Sequence, residues 1–94
     1  MNGLSFAPEV TLHQDLAAPL GVIEEVHGPV VDILCTRLPP LHHAVYVRHG
    51  DVRHVFEVHG HIDETRVRAI ALGSTAGLRR QMPVFDSGGP LQVP

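Results

Sequence analysis

The sequence predicts an all-β fold, a closed barrel or a sandwich of about six short antiparallel strands, after a flexible N-terminal arm. Short stretches of alternating apolar and polar residues recur, and Gly, Pro and Asp residues separate them at intervals of roughly ten residues. No stretch repeats its apolar residues every three or four positions over the length of an ordinary helix. Closure into a barrel is favoured because it removes the exposed edges that an open sheet would leave.

The chain has 94 residues, which is room for one small domain. Residues 1–19 contain Pro8, Pro19 and scattered apolar residues without a sustained period, so we expect a flexible arm there. The barrel domain is therefore predicted over residues 20–94.

The first part of the barrel is expected to be one long strand over residues 21–35, bent in its middle. Gly28 allows backbone conformations that other residues avoid, and Pro29 lacks the N–H donor that strand pairing needs. The pair therefore predicts a corner or a bulge. Ile23 and Val26 are three positions apart and cannot share one face of a regular strand. Their spacing indicates a second irregularity before the corner.

Two further strands, over residues 44–49 and 52–62, are predicted to form a hairpin about a turn at residues 50–51. In the first strand, Val45 and Val47 lie on the inner side and Tyr46 on the outer side. In the second strand, one side is mostly apolar and carries Val52, Phe56, Val58 and Ile62.

A strand over residues 66–72 should follow, with Val67, Ala69 and Ala71 on its inner side. Ile70 and Leu72 break the alternation, because they follow the arginines onto the polar side. Apolar side chains on an outer face are usually shielded from solvent, either by a loop of the same chain or by another chain. We therefore predict that Ile70 and Leu72 lie at a subunit interface.

The end of the chain is predicted to be rich in turns. Residues 73–77 form a loop by composition, and residues 78–81 could form at most one helical turn before Pro83. Residues 86–90 are expected to form another turn, and residues 91–93 a last short strand.

Histidine is unusually frequent, with eight residues in the chain. His59 and His61 are two apart on a predicted strand and could direct two imidazoles at one metal ion. A third ligand would come from a neighbouring strand or from His42 or His43. The simpler interpretation, which we adopt, is that these histidines are solvent-facing, since no recognised metal-ligand spacing is present. Cys35, the only cysteine, is interpreted as a small buried hydrophobic residue rather than a nucleophile.

Several classes of function are disfavoured by composition. The chain has seven arginines, no lysine and ten acidic residues, so it lacks the basic field of a nucleic-acid-binding protein. It contains no phosphate-binding loop motif and no recognisable catalytic arrangement, so no catalytic or nucleotide-binding residue is predicted. No apolar run approaches the ~20 residues of a membrane span, so we expect no direct membrane insertion.

Four ordered motifs resemble the N-terminal domain of the F-type ATP synthase beta subunit. They are GPVVDI at 28–33, LPPL at 38–41, VRAIAL at 67–72 and DSGGPLQVP at 86–94. The resemblance implies a six-stranded barrel that joins the barrels of alpha-type subunits in an alpha/beta hexamer. It also implies that ATP or ADP and magnesium bind in a following domain of the parent subunit, so this chain should hold no cofactor and should not itself be an enzyme. The parent enzyme would couple ATP synthesis or hydrolysis to ion transport, in the cytoplasm and peripheral to the inner membrane.

The sequence departs from the family pattern at Ala76, where an acidic residue is common, at Arg80-Gln81, which replace a step containing glycine, and in the hairpin at 49–53. Because of these departures, the sequence does not decide between a housekeeping ATP synthase and a divergent second copy of the rotary ATPase. The alternative hypothesis is a stand-alone small barrel that binds a metal or a partner through its histidines.

Overall fold

A computed structural model describes residues 18–90, which form a closed antiparallel barrel with strand order β1-β2-β5-β4-β3-β6. The six strands are β1 Gly21–His27, β2 Val30–Cys35, β3 His43–His49, β4 Val52–His61, β5 Arg66–Ala71 and β6 Pro83–Pro90. The predicted all-β barrel is confirmed. The described residues contain no helix long and apolar enough to cross a membrane.

The prediction of one bent strand over residues 21–35 is wrong, because these residues form two strands. β1 and β2 pair antiparallel, from Gly21 opposite Cys35 to His27 opposite Val30. Gly28 has a φ of +58°, a left-handed conformation that glycine adopts without steric cost, and the chain reverses there. The irregularity predicted before the corner is confirmed as a bulge between Ile23 and Glu25.

The barrel closes where β1 meets β6. Only two residue pairs join these strands, Gly21 with Val84 and Val22 with Pro83. Backbone hydrogen bonds extend the junction, with the Leu20 N–H donating to the Val84 carbonyl at 2.7 Å. A Cβ atom on Gly21 would collide with the carbonyl oxygen of Leu34. The close approach of β1 to β2 at this position therefore requires glycine.

The core fills the barrel interior with aliphatic side chains around a single aromatic ring. Phe56 is the largest fully buried residue, and Val45 and Val47 face inward from β3 as their alternation predicts. The other buried residues of this core cluster are Leu20, Ile23, Val31, Ile33, Cys35, Val58, Val67, Ala69, Met82 and Val84. Burial of these side chains is the main favourable contribution to folding.

The β3–β4 hairpin is confirmed, but its apolar side is shorter than the sequence pattern suggests. Val52 and Ile62 lie an even number of positions from Phe56 and Val58, so strict alternation would place all four on the inner side. However, Val52 is 54% exposed and Ile62 is 43% exposed. Val52 begins β4 at the barrel rim, and a bulge between Val58 and Gly60 ends the regular alternation.

The predicted turn at residues 86–90 is also wrong, because these residues belong to β6. Pairing with β3 changes from Val45 opposite Asp86 to His43 opposite Pro90, so three residues of β6 lie opposite a single residue of β3 and form a bulge. Gly88 supports the bulge with a φ of +95°. The predicted strand at 91–93 lies outside the described residues, as do residues 1–17 of the predicted arm.

Candidate subunit interface

Ile70 and Leu72, the predicted interface residues, lie on the outer side of the barrel. Ile70 is half-buried between Val30 of β2 and Glu57 of β4. Leu72 immediately follows β5 and is 50% exposed, so the loop at 73–77 does not cover it. Burial of an apolar side chain this exposed against a partner would lower the free energy of the complex. The interface role itself stays a prediction.

Around Leu72, apolar side chains form a row that crosses three strands and ends at Leu72 itself, just after β5. Tyr46 on β3 pairs with Phe85 on β6 and with Val55 on β4. The Leu72 N–H then donates to the Val55 carbonyl at 3.0 Å, which places Leu72 next in the row. The rings of Tyr46 and Phe85 stack with their centroids 5.6 Å apart. Sequence alternation had already placed Tyr46 on the outer side, but it could not show the row that pairing creates.

Two arginines stand beside this row. Arg48 and Arg53 lie directly opposite each other on β3 and β4, and both are exposed. The Arg53 guanidinium lies 4.0 Å from the centroid of the Tyr46 ring, within range of a cation–π interaction. We call the surface formed by these side chains the arginine-rimmed face, and its members are Tyr46, Arg48, Arg53, Val55, Leu72 and Phe85.

A recess of about 320 Å³ opens at one end of the arginine-rimmed face. Val52, Val55 and Leu72 supply its apolar wall, and Arg53 borders it. Below it, the Nδ1 atom of buried His54 lies 3.0 Å from the Ser74 carbonyl oxygen, which ties the loop at 73–77 to β4. This contact fixes one wall of the recess.

On another part of the outer surface, Asp32 and Arg68 form an ion pair between β2 and β5. Arg68 Nε lies 2.9 Å from one carboxylate oxygen of Asp32 and Nη2 lies 3.2 Å from the other. Asp32 is only 7% exposed. Its hydrogen bonds with Arg68 raise the pKa of that guanidinium above its ordinary value. The paired oxygens satisfy a buried carboxylate, which indicates a structural role.

Glu25, His27 and Asp32 are the one group of three potential metal ligands within residues 18–90, with ligand atoms within 4.8 Å of one another. Both Asp32 oxygens already accept hydrogen bonds from Arg68. The His27 ring also lies 3.2 Å from the Glu25 carboxylate. These contacts account for all three groups without an ion.

The histidines considered as metal ligands are not brought together in the described structure. The bulge beside His59 removes the simple alternation that would have placed it on one face with His61. His61 Nε2 donates to the Pro39 carbonyl oxygen at 2.7 Å, and His42 lies 3.3 Å from Glu57. Each of these two imidazoles therefore has its own local partner.

Cys35 is buried, as the sequence predicts. Burial raises the pKa of its thiol to about 11, against a smaller opposing effect from the Arg37 charge. The thiol is therefore neutral at physiological pH and a poor nucleophile.

Comparison with known proteins gives a consistent result. Residues 23–88 match the family model described as the ATP synthase alpha/beta family, beta-barrel domain. The chain is 48% identical over 79 residues to ATP synthase subunit beta 2 of Polaromonas naphthalenivorans, an alignment that covers 83% of this chain and 16% of the relative. It is 37% identical to ATP synthase subunit beta 1 of Pseudoalteromonas atlantica, over 100% of this chain and 17% of the relative. With ATP synthase subunit beta 3 of Paraburkholderia xenovorans, identity is 42%, over 81% of this chain and 16% of the relative.

Proposed function

Because this chain belongs to the ATP synthase alpha/beta family, as its beta-barrel domain, we propose that it acts in subunit assembly within a beta-type subunit. In this role the barrel contacts the barrels of neighbouring alpha-type subunits and holds an alpha/beta hexamer together. Its contribution is binding between subunits rather than chemistry.

The observation that carries this proposal is the apolar row on the outside of a barrel that belongs to this family. The interior is already filled by its own side chains, so the row contributes little to the core. Leu72, 50% exposed at the end of the row, is the side chain with most to gain from a partner. Apolar and aromatic side chains exposed together on a soluble domain are typical of a surface that binds another protein.

We assign nucleotide binding and catalysis in the parent enzyme to the part of a longer subunit that lies outside this barrel. The chain spans 16% to 17% of the length of the beta-subunit relatives that it matches. We propose that ATP or ADP and magnesium bind in the part of such a subunit that follows the barrel. The parent complex would then couple ATP synthesis or hydrolysis to ion transport, on the cytoplasmic side and peripheral to the inner membrane.

The test is to mix the 94-residue chain with a purified alpha-type ATP synthase subunit and measure association by analytical ultracentrifugation. We expect a hetero-oligomer and no ATP hydrolysis by the chain alone. Replacement of Ile70 and Leu72 by serine should weaken association, whereas serine at Leu41 and Ile62, which are 47% and 43% exposed, should not. ATP hydrolysis by the purified chain, or failure of the wild-type chain to associate, would refute the proposal.

A further inference from the structure

The arrangement of Arg48 and Arg53 is unfavourable for the isolated barrel. Like charges directly opposite each other on antiparallel strands repel, and these two arginines form such a pair. Within residues 18–90, the ion pairs involve Arg37, Arg66 and Arg68 but neither Arg48 nor Arg53. The two cations are therefore not compensated by the described part of the chain.

The position of these charges matters because they border the apolar row. A partner that covers Leu72 and Val55 would also remove water from around Arg53, which borders the same recess. Desolvation of a cation is costly unless an anion pairs with it. A partner with a neutral or basic surface would therefore be disfavoured, and an acidic one favoured.

From these two observations we propose that the arginine-rimmed face binds an apolar segment that carries a carboxylate, contributed by the neighbouring alpha-type barrel. An apolar side chain of that segment occupies the recess between Val52, Val55 and Leu72, and its carboxylate pairs with Arg48 and Arg53. The inference rests on the proposed function for the identity of the partner. It adds the binding surface and the chemistry that the partner must present.

The test compares two double charge reversals in the 94-residue chain. Arg48→Glu with Arg53→Glu changes the arginine-rimmed face, and Arg79→Glu with Arg80→Glu makes the same change in net charge at exposed positions between β5 and β6. Affinity for a purified alpha-type subunit is measured at 50, 150 and 500 mM NaCl, conditions chosen around roughly physiological ionic strength. A circular dichroism spectrum and a thermal melt of each variant establish that it folds.

Wild-type binding should weaken as salt rises, because added ions screen the charge pairs. At the lowest salt, the reversal at Arg48 and Arg53 should weaken binding at least about tenfold, while the control stays within about twofold. The salt dependence of the reversed variant should also change sign, because added ions then screen a repulsion between like charges. Arg48→Gln with Arg53→Gln keeps long polar side chains and should weaken binding by a smaller factor. It decides the question if the glutamate variant does not fold.

The outcomes separate the two proposals. If the wild-type chain binds no alpha-type subunit at any salt concentration, the proposed function fails and this inference fails with it. If the wild type binds but charge reversal at Arg48 and Arg53 has no effect, the inference alone is overturned. An equal loss in the Arg79 and Arg80 control would also overturn it, because net charge rather than this face would then govern binding.

Discussion

The same substitution at two valines of β4 should have very different effects on stability. Strict alternation along this strand would place Val52 and Val58 on the same side, but Val58 is fully buried and Val52 is 54% exposed. Val58→Ala deletes the equivalent of two buried methylene groups, about 1.6 kcal/mol in transfer free energy. The cavity left beside Phe56 and its neighbours raises the expected cost to about 2–3 kcal/mol. Val52→Ala should cost less than about 0.5 kcal/mol, because its side chain is already half in water.

The free energy of unfolding of both variants can be measured by urea denaturation monitored by circular dichroism. For a domain of this size, the loss in Val58→Ala corresponds to a fall in Tm of roughly 10–20 °C. The denaturant m-value should stay near that of the wild type, which would show that the extent of unfolding is unchanged. Equal losses at the two positions would contradict the placement of β4, because they would mean that both valines are buried or that neither is.

Three further changes test the backbone and the buried thiol. Gly21→Ala should destabilise the barrel by more than about 2 kcal/mol or prevent folding, because its Cβ would collide with the Leu34 carbonyl oxygen. Gly60→Ala is the matched control, since its Cβ would have no neighbour within 4 Å, and equal losses in thermal melts would argue against the collision. Gln81 has a φ of +75°, a left-handed conformation that is strained for a residue with a Cβ atom. Gln81→Gly should therefore stabilise the fold by about 0.5–1 kcal/mol, measured by urea denaturation. A loss of stability would show that contacts of the Gln81 side chain outweigh the strain of its backbone. Since burial raises the pKa of Cys35 from 9.0 to about 11, the folded state favours the neutral thiol, so stability should be full below pH 9 and fall as the pH rises towards 11. A Cys35→Ala variant should lose this component of the pH dependence, and an unchanged profile would assign it to other groups.

Local sequence patterns were sufficient for much of the fold. Alternation on β3 predicted that Val45 and Val47 face the core, and the spacing of Ile23 and Val26 predicted the bulge in β1. Both features depend on the period of two that any extended chain imposes on its side chains. The resemblance to a known family agreed with the strand count, and comparison with known proteins confirmed that family.

Local patterns failed where strands end or turn. The Gly28-Pro29 pair signals a break, but the same pair suits a bend within a strand or a reversal between two strands. The structure shows a reversal, because β1 and β2 pair with each other. Residues 86–90 have the composition of a turn, yet pairing with His43 and Val45 keeps them in β6 as a bulged strand.

Sequence alone determined the all-β class, the family and most of the inward-facing residues, because these depend on alternation and on ordered motifs along the chain. Tertiary structure decided which outer residues become neighbours. Asp32 meets Arg68 only because β2 pairs with β5, although the two residues are far apart in sequence. Arg48 faces Arg53 through the register of the β3–β4 hairpin, and Leu72 joins Tyr46 in one row because β5 lies beside β4. The period of a strand specifies a face, whereas strand order and register specify the neighbours on that face.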